Sequence, residues 1–318
     1  MTANRNLPQS DPGKESAFTR RTFVQVGAVG LAIAASGVRP LKAGARSAAS
    51  AKTPRIGAIY NCGYRWDGTG WDGVRTVSAL GRYDSGDIGA IDTHLIWARQ
   101  AGISFFFALS ETDAPADYRT RNISTLFDRA ENNDFDVALM LAYEGNRKQP
   151  NVRVNGSEWL KGRLAAVKSS GILKRKGYLR AADGRAIIGI RSRNPVAAAE
   201  AVRGAASRDV WLWVVSGTQA PSSFDSNSAA WVAPASSTAP RFSRIRRGKK
   251  VDLLQLPANG GASAVTPEQL SAYGGSSYIL VDSFNDWSHP PTIEPTSRNR
   301  SQGAYLSSLR QQIDIVAR

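Results

Sequence analysis

Short apolar runs alternate along this chain with stretches of helical spacing, the pattern of a parallel α/β architecture. Eight runs read as strands: Arg55–Asn61, Ile103–Leu109, Asp136–Ala142, Ala186–Arg191, Val210–Val215, Ala229–Ala233, Val251–Leu256 and Ser277–Asp282. Eight is the number that a closed (β/α)8 barrel takes. The run Ile103-Ser104-Phe105-Phe106-Phe107-Ala108-Leu109 is almost continuously apolar, which suits a strand covered on both faces. Between the runs, Ile88, Ile91, Leu95 and Ala98 fall on one helical face, and Leu160, Leu164 and Val167 on another. Tyr305, Leu309, Ile313 and Val316 give a last helix able to close over the first element. Ser216–Pro240 is rich in Ser, Ala and Pro and hides its helix, so the sixth strand is the least marked. There is no internal repeat and no linker, and the pattern predicts a single-domain TIM-type barrel over 55–318.

The N-terminal segment has a different pattern. Thr19-Arg20-Arg21-Thr22-Phe23 precedes an uncharged, Ala- and Gly-rich stretch, Val24–Val38, and Ala43-Gly44-Ala45 forms a small-residue cleavage site. A polar lead, an arginine pair, a mildly apolar core and an A-x-A site in that order read as a twin-arginine signal over 1–45. The core is too short and too weakly apolar for a stable membrane span. Residues 46–54, rich in Ser and Ala, read as a flexible lead. The expected location is therefore periplasmic or extracellular, with the twin-arginine translocase as the export partner. About 273 residues then remain, close to the roughly 250 of a single barrel.

Charge and cysteine narrow the partners. The chain holds 41 Lys and Arg against 26 Asp and Glu, a net +15. Six of the basic and two of the acidic residues lie in 1–45, so the processed chain keeps a net +11. Arg241, Arg244, Arg246, Arg247, Lys249 and Lys250 concentrate six positive charges in ten residues. Such a run attracts an acidic polymer, or it is a solvated loop. No zinc finger, helix-turn-helix or RNA-binding signature accompanies it, so no nucleic acid is expected. The single cysteine, Cys62, excludes an intrachain disulfide and reads as a buried strand-end residue. The two histidines, His94 and His289, lie far apart in sequence, and no metal or other cofactor is expected.

In a barrel of this kind, chemistry sits at the carboxyl ends of the strands. The first strand ends into Tyr60, Tyr64, Trp66 and Trp71, the second at Glu111, and the third at Tyr143 and Glu144. Asn285, Asp286 and Trp287 follow the eighth, with His289 and Glu294 beyond. Aromatic rings stack on the apolar faces of sugars, and carboxylates handle protons and hydroxyls. The cluster at one end therefore points to a glycan or polysaccharide, whereas Trp66 or Trp71 alone would more often be a packing residue.

Several ordered motifs resemble the glycoside hydrolase family 99-like group, whose best-known members are endo-α-mannosidases on a (β/α)8 barrel. These are Gly57-Ala58-Ile59-Tyr60, Leu80-Gly81-Arg82-Tyr83-Asp84-Ser85, His94-Leu95-Ile96-Trp97-Ala98 with Ala101-Gly102-Ile103, Ser283-Phe284-Asn285-Asp286-Trp287 with Ile293-Glu294-Pro295, and Gly303-Ala304-Tyr305-Leu306. The resemblance implies a pair of acids three residues apart after the eighth strand, one engaging the 2-hydroxyl and one protonating the leaving oxygen. Here the pair is Asp286 and His289 where the family carries two glutamates, and Pro290-Pro291 replaces Gly-Thr. Losing a methylene withdraws a carboxylate by about 1.5 Å, and a misplacement of about 1 Å can cost about a hundredfold in rate. A histidine can still donate a proton. The resemblance thus implies Asp286 and His289 as the catalytic candidates, and leaves open a non-catalytic barrel that binds a glycan or a polyanion.

Overall fold

The computed structural model describes residues 55–314, except 69, 72–73, 75–77, 111–115, 144–155, 193, 204, 206, 217–220, 223, 225–228, 233–250, 256–277, 287–291, 297–305, 308–309 and 312–313. Residues 1–54, the Arg241–Lys250 run and all four residues of the last helical face, Tyr305, Leu309, Ile313 and Val316, lie outside them. Eight strands form one sheet: β1 (Arg55–Asn61), β2 (Phe105–Ser110), β3 (Asp136–Ala142), β4 (Ala186–Arg191), β5 (Val210–Val215), β6 (Ala229–Val232), β7 (Val251–Gln255) and β8 (Tyr278–Asp282). Their order is β6-β5-β4-β3-β2-β1-β8-β7, and every ladder along it is parallel. β6 and β7, at the two ends of that order, lie against each other along the seam. The helices α1 (Ile88–Gln100), α2 (Ala116–Asn132), α3 (Gly156–Ser169) and α4 (Pro195–Val202) cover the outside. The architecture is the (β/α)8 TIM-type barrel in a single domain.

Local chemistry explains the boundaries of α1. Asp87 caps its start, accepting from the Ala90 amide at 3.0 Å. Its end is a Schellman motif: Gly102, at φ 80°, donates to Arg99 O, and Ile103 donates back to Ala98 O at 2.8 Å. Ile103 therefore belongs to the helix cap, and β2 starts two residues later than the apolar run predicts. Ile88 also departs from its expected place. It is the first helical residue, ahead of the apolar stripe, and is exposed, whereas Ile91, Leu95 and Ala98 are buried.

Strand alternation divides the core into two faces. Phe105 and Phe107 of β2, Trp211 and Trp213 of β5, and Tyr278 of β8 contact one another edge-on or tilted. β2 and β5 are not neighbours in the sheet, so these rings meet only through the barrel interior. Glycine makes the room for them: a Cβ on Gly57 would overlap the Phe105 ring, and one on Gly189 would stand 2.8 Å from Met140 Cε. The opposite faces of β1 and β2 carry Tyr60 and Phe106, which pack towards α1.

Candidate functional site

The segment after β8 is held to β1 by a buried chain of polar groups. The Asn61 amide donates to Asn285 Oδ1 at 2.7 Å, and Asn285 Nδ2 donates to Asn61 O and to Tyr83 Oη, each at 3.1 Å. Tyr83 donates to Glu294 Oε2 at 2.8 Å, and Ser78 donates to Glu294 Oε1. His94 Nε2 lies 3.1 Å from Glu294 Oε1, and His94 Nδ1 lies 2.8 Å from Tyr60 Oη. Burial, and secondarily neighbouring negative charge, pushes the Tyr60 and Tyr83 phenols well above their ordinary range, so both keep their protons and donate. Tyr60 then donates to His94 Nδ1, which assigns the His94 proton to Nε2, where it donates to Glu294. Every member is buried except Asn61, which is half-buried. A carboxylate so enclosed is tolerable only because several donors meet it.

This network sets the direction of Asp286. Phe284 is fixed on both sides, its amide donating to Ile59 O at 2.7 Å and its carbonyl accepting from the Glu294 amide at 2.8 Å. Asn285 is fixed by its side chain, and the Asp286 amide donates to Ser283 Oγ at 3.1 Å. Asp286 therefore stands at the carboxyl end of the barrel with only 5% of its surface exposed. Opposite it is Arg191, the last residue of β4, on the inward face that it shares with Gly189. Its Nη1 lies 3.8 Å from Asp286 Oδ2. The end of the barrel thus pairs a recessed acid with a cation.

The other residues expected from the sequence fall into three groups. Tyr60, Tyr64 and Trp71 present no ring to solvent. Tyr64 and Trp71 pack on each other and on Tyr83, and Tyr60 is enclosed by His94, Phe106 and Phe284. In this structure they support the loop rather than form a stacking surface. Tyr143 likewise turns outward, its ring 4.8 Å from that of Trp159 on α3. Glu294 and Asn285 are network members, aimed away from the opening. Trp66 is the contrary case, 59% exposed in the loop after β1. Glu111, Glu144, Trp287 and His289 lie outside the described residues. Cys62 is buried at the end of β1, and burial, partly opposed by the Arg119 charge, pushes its thiol up to about 12.

His94, Tyr83, Ser78 and Arg191 are residues of the site that the sequence did not single out as members. His94 carried a legible signal: it sits between Ile91 and Ala98 in the middle of the apolar stripe of α1, where a polar group has to find a buried partner. Arg191 carried another, a charge ending the apolar run Ile187–Ile190 on the inward parity. Tyr83 lay within a quoted motif but gave no sign of its partner. Among the described residues, no group of three His, Cys, Asp or Glu side chains is placed to hold a metal ion.

Comparison with solved structures places the chain beside sugar-cleaving barrels. The GH99 endo-α-mannosidase of Bacteroides thetaiotaomicron, in complex with bis-tris-propane, superposes with a TM-score of 0.61 at 14% identity, over 82% of this chain and 97% of that one. Another structure of that enzyme gives 0.59 at 16% identity, with the same coverage. A glycoside hydrolase-like protein gives 0.52 at 13% identity, over 82% of this chain and 94% of that one. At these identities the likeness speaks to the fold. No protein-family model and no curated protein sequence matches the chain.

Proposed function

We propose that this protein is an exported, carbohydrate-active barrel that hydrolyses an α-linked glycan or an envelope polysaccharide. The observation that carries the reading is Asp286, a recessed carboxylate held at the carboxyl end of a glycoside hydrolase-like barrel by the Asn285 network. In this reading Asp286 accepts a hydrogen bond from a sugar hydroxyl next to the scissile bond. His289, three residues on, supplies or relays the proton that the leaving oxygen takes. Exposed Trp66 offers a ring face to a sugar unit. The basic run Arg241–Lys250 adds affinity for an acidic polymer. The signal-like segment 1–45 supports a site of work in the periplasm or outside the cell.

One specific observation favours a second reading, a barrel that binds glycans without cleaving them: an Asp and a His stand where the resembling family carries two glutamates. A hydrolysis and binding screen of the mature protein over α-linked oligosaccharides separates the two. Asp286→Asn keeps the size and the hydrogen-bonding capacity but removes the charge, and is expected to abolish turnover while leaving glycan binding largely intact. His289→Ala is expected to slow substrates with poor leaving groups most, because an activated leaving group needs little protonation. Equal loss on both kinds of substrate removes the acid role. Binding without cleavage over the whole panel installs the second reading.

A further inference from the structure

The helices do not seal the outside of the barrel evenly. α1 packs on α2, where Arg129 holds Asp92 through two hydrogen bonds of 2.8 and 2.7 Å, and α3 packs on α4. Between α2 and α3 a cleft of about 570 Å³ remains, a size within the range of small-molecule sites. It runs from Ser110, the last residue of β2, to Ile172, just after α3. Its floor is Leu139 and Leu141, which the alternation of β3 turns outward towards the helices. Ile123 of α2 and Val167 of α3 add apolar walls, and the small side chains of Thr120, Ser124 and Ala166 leave the space between them unfilled.

One cation in this wall is left unpaired. Arg163 of α3 lines the cleft and is half-buried, and its Nε is enclosed with no hydrogen-bond partner. No described residue gives it a hydrogen bond, an ion pair or a ring contact. Arg175, in the same cleft, is the contrast: its guanidinium is taken up by Glu131 and Asp128. An arginine on a helix surface ordinarily carries its head out to water, and an enclosed donor without a partner is costly. Arg163 instead keeps its charge beside an apolar cleft.

The chemistry of the cleft selects the occupant. One unclaimed guanidinium offers a single positive charge and a planar fork of N–H donors, the complement of a carboxylate. Arg175 adds no second charge, because two acids already face it, so the cleft matches a singly charged head better than a phosphate. The leucine floor favours an apolar body next to that head.

We propose that the cleft between α2 and α3 binds a small amphiphilic carboxylate, its acid group on Arg163 and its hydrocarbon body on Leu139, Leu141 and Val167. The site lies on the outside of the barrel and shares no residue with the proposed hydrolytic site.

The test titrates octanoate, octanamide and acetate into the full chain by calorimetry at physiological salt. The amide keeps the hydrocarbon and the size of the head and removes the charge, whereas acetate keeps the charge and removes the body. Octanoate is expected to bind saturably, one molecule per chain, and about tenfold or more tighter than octanamide, the range of a charge-assisted hydrogen-bonded contact. Acetate is expected not to bind measurably. Arg163→Gln is expected to bring the acid-to-amide ratio close to one, and Arg163→Lys, which keeps the charge without the fork, to restore part of it. Ala166→Trp fills the cleft from an exposed position on α3 and is expected to remove octanoate binding from protein that circular dichroism shows to be folded. Arg310→Gln removes the same charge outside the cleft and is expected to change nothing. No saturable octanoate binding, equal binding of acid and amide, a ratio that survives Arg163→Gln, or octanoate binding that survives Ala166→Trp overturns the assignment. Acetate bound as tightly as octanoate overturns it too, because the apolar floor then contributes nothing. Either outcome leaves the carbohydrate reading standing, since that reading is tested at Asp286.

Discussion

Enclosed polar residues decide what this protein tolerates at single positions. His94 is fully buried and joins Tyr60 to Glu294, so removing its ring leaves a phenol and a carboxylate each short of a partner. His94→Ala is expected to lower stability by about 3 kcal/mol or more, through the unsatisfied groups and the cavity together. A denaturant titration with a shift under about 0.5 kcal/mol shows that the network carries no weight. Cys62 gives a pH dependence with a definite sign. Burial raises its thiol from the ordinary 9.0 to about 12, so the folded state keeps a proton that the unfolded chain releases. Its contribution is fully present below about pH 9 and is lost as the pH rises towards 12, at up to about 1.4 kcal/mol per pH unit. Denaturation midpoints at pH 7, 9 and 11 are expected to fall more steeply for the wild type than for Cys62→Ala. The thiol is expected to react slowly with disulfide reagents in the native state and rapidly once unfolded.

Between elements, the fold depends on glycines that admit large rings. Gly57 of β1 lies in register with Phe105 of β2, and the ring occupies the space a side chain would need. Gly57→Ala forces the Phe105 ring, and with it Phe107 and Tyr278, out of place. The expected cost is about 1–3 kcal/mol, the usual penalty for overpacking a filled core, read as a lowered thermal midpoint. An unchanged midpoint shows that the interior rings shift freely. Most strand limits were legible in the chain because a buried parallel strand is apolar throughout and ends abruptly at Gly or polar residues. Ile103 was misread for a physical reason: the residue that closes a Schellman motif is apolar too, and adjoins the strand without a break in the pattern.

At the scale of the whole molecule, the twin-arginine reading of the N-terminal segment makes a testable prediction about where the protein goes. Replacing both Arg20 and Arg21 by Lys keeps the charge and removes the pair that the export route reads. The precursor is expected to accumulate inside the cell, measured by fractionation and immunoblot. Normal export of the double variant removes the address, and with it the expectation that the substrate is an envelope or extracellular polymer.

The order of apolar runs was enough to determine a parallel barrel, because strand period and burial are local properties of the chain. It also placed Asp286 and Trp66 after the strands whose ends they follow. Which aromatics face solvent was not decided locally. Tyr60 near the end of β1 and Tyr64, Trp66 and Trp71 in the segment after it share one chemistry, yet of the four only Trp66 is exposed, because Tyr83, Phe284 and Glu294 arrive from elsewhere to enclose the others. His94 and Glu294 are 200 residues apart and meet directly, and Arg191 reaches Asp286 across the barrel opening. Contacts of that range follow from closing the barrel, which brings the first and eighth strands side by side and sets the end of the fourth opposite the tail of the eighth. The elements come from the local pattern of the chain, and the site comes from their closure.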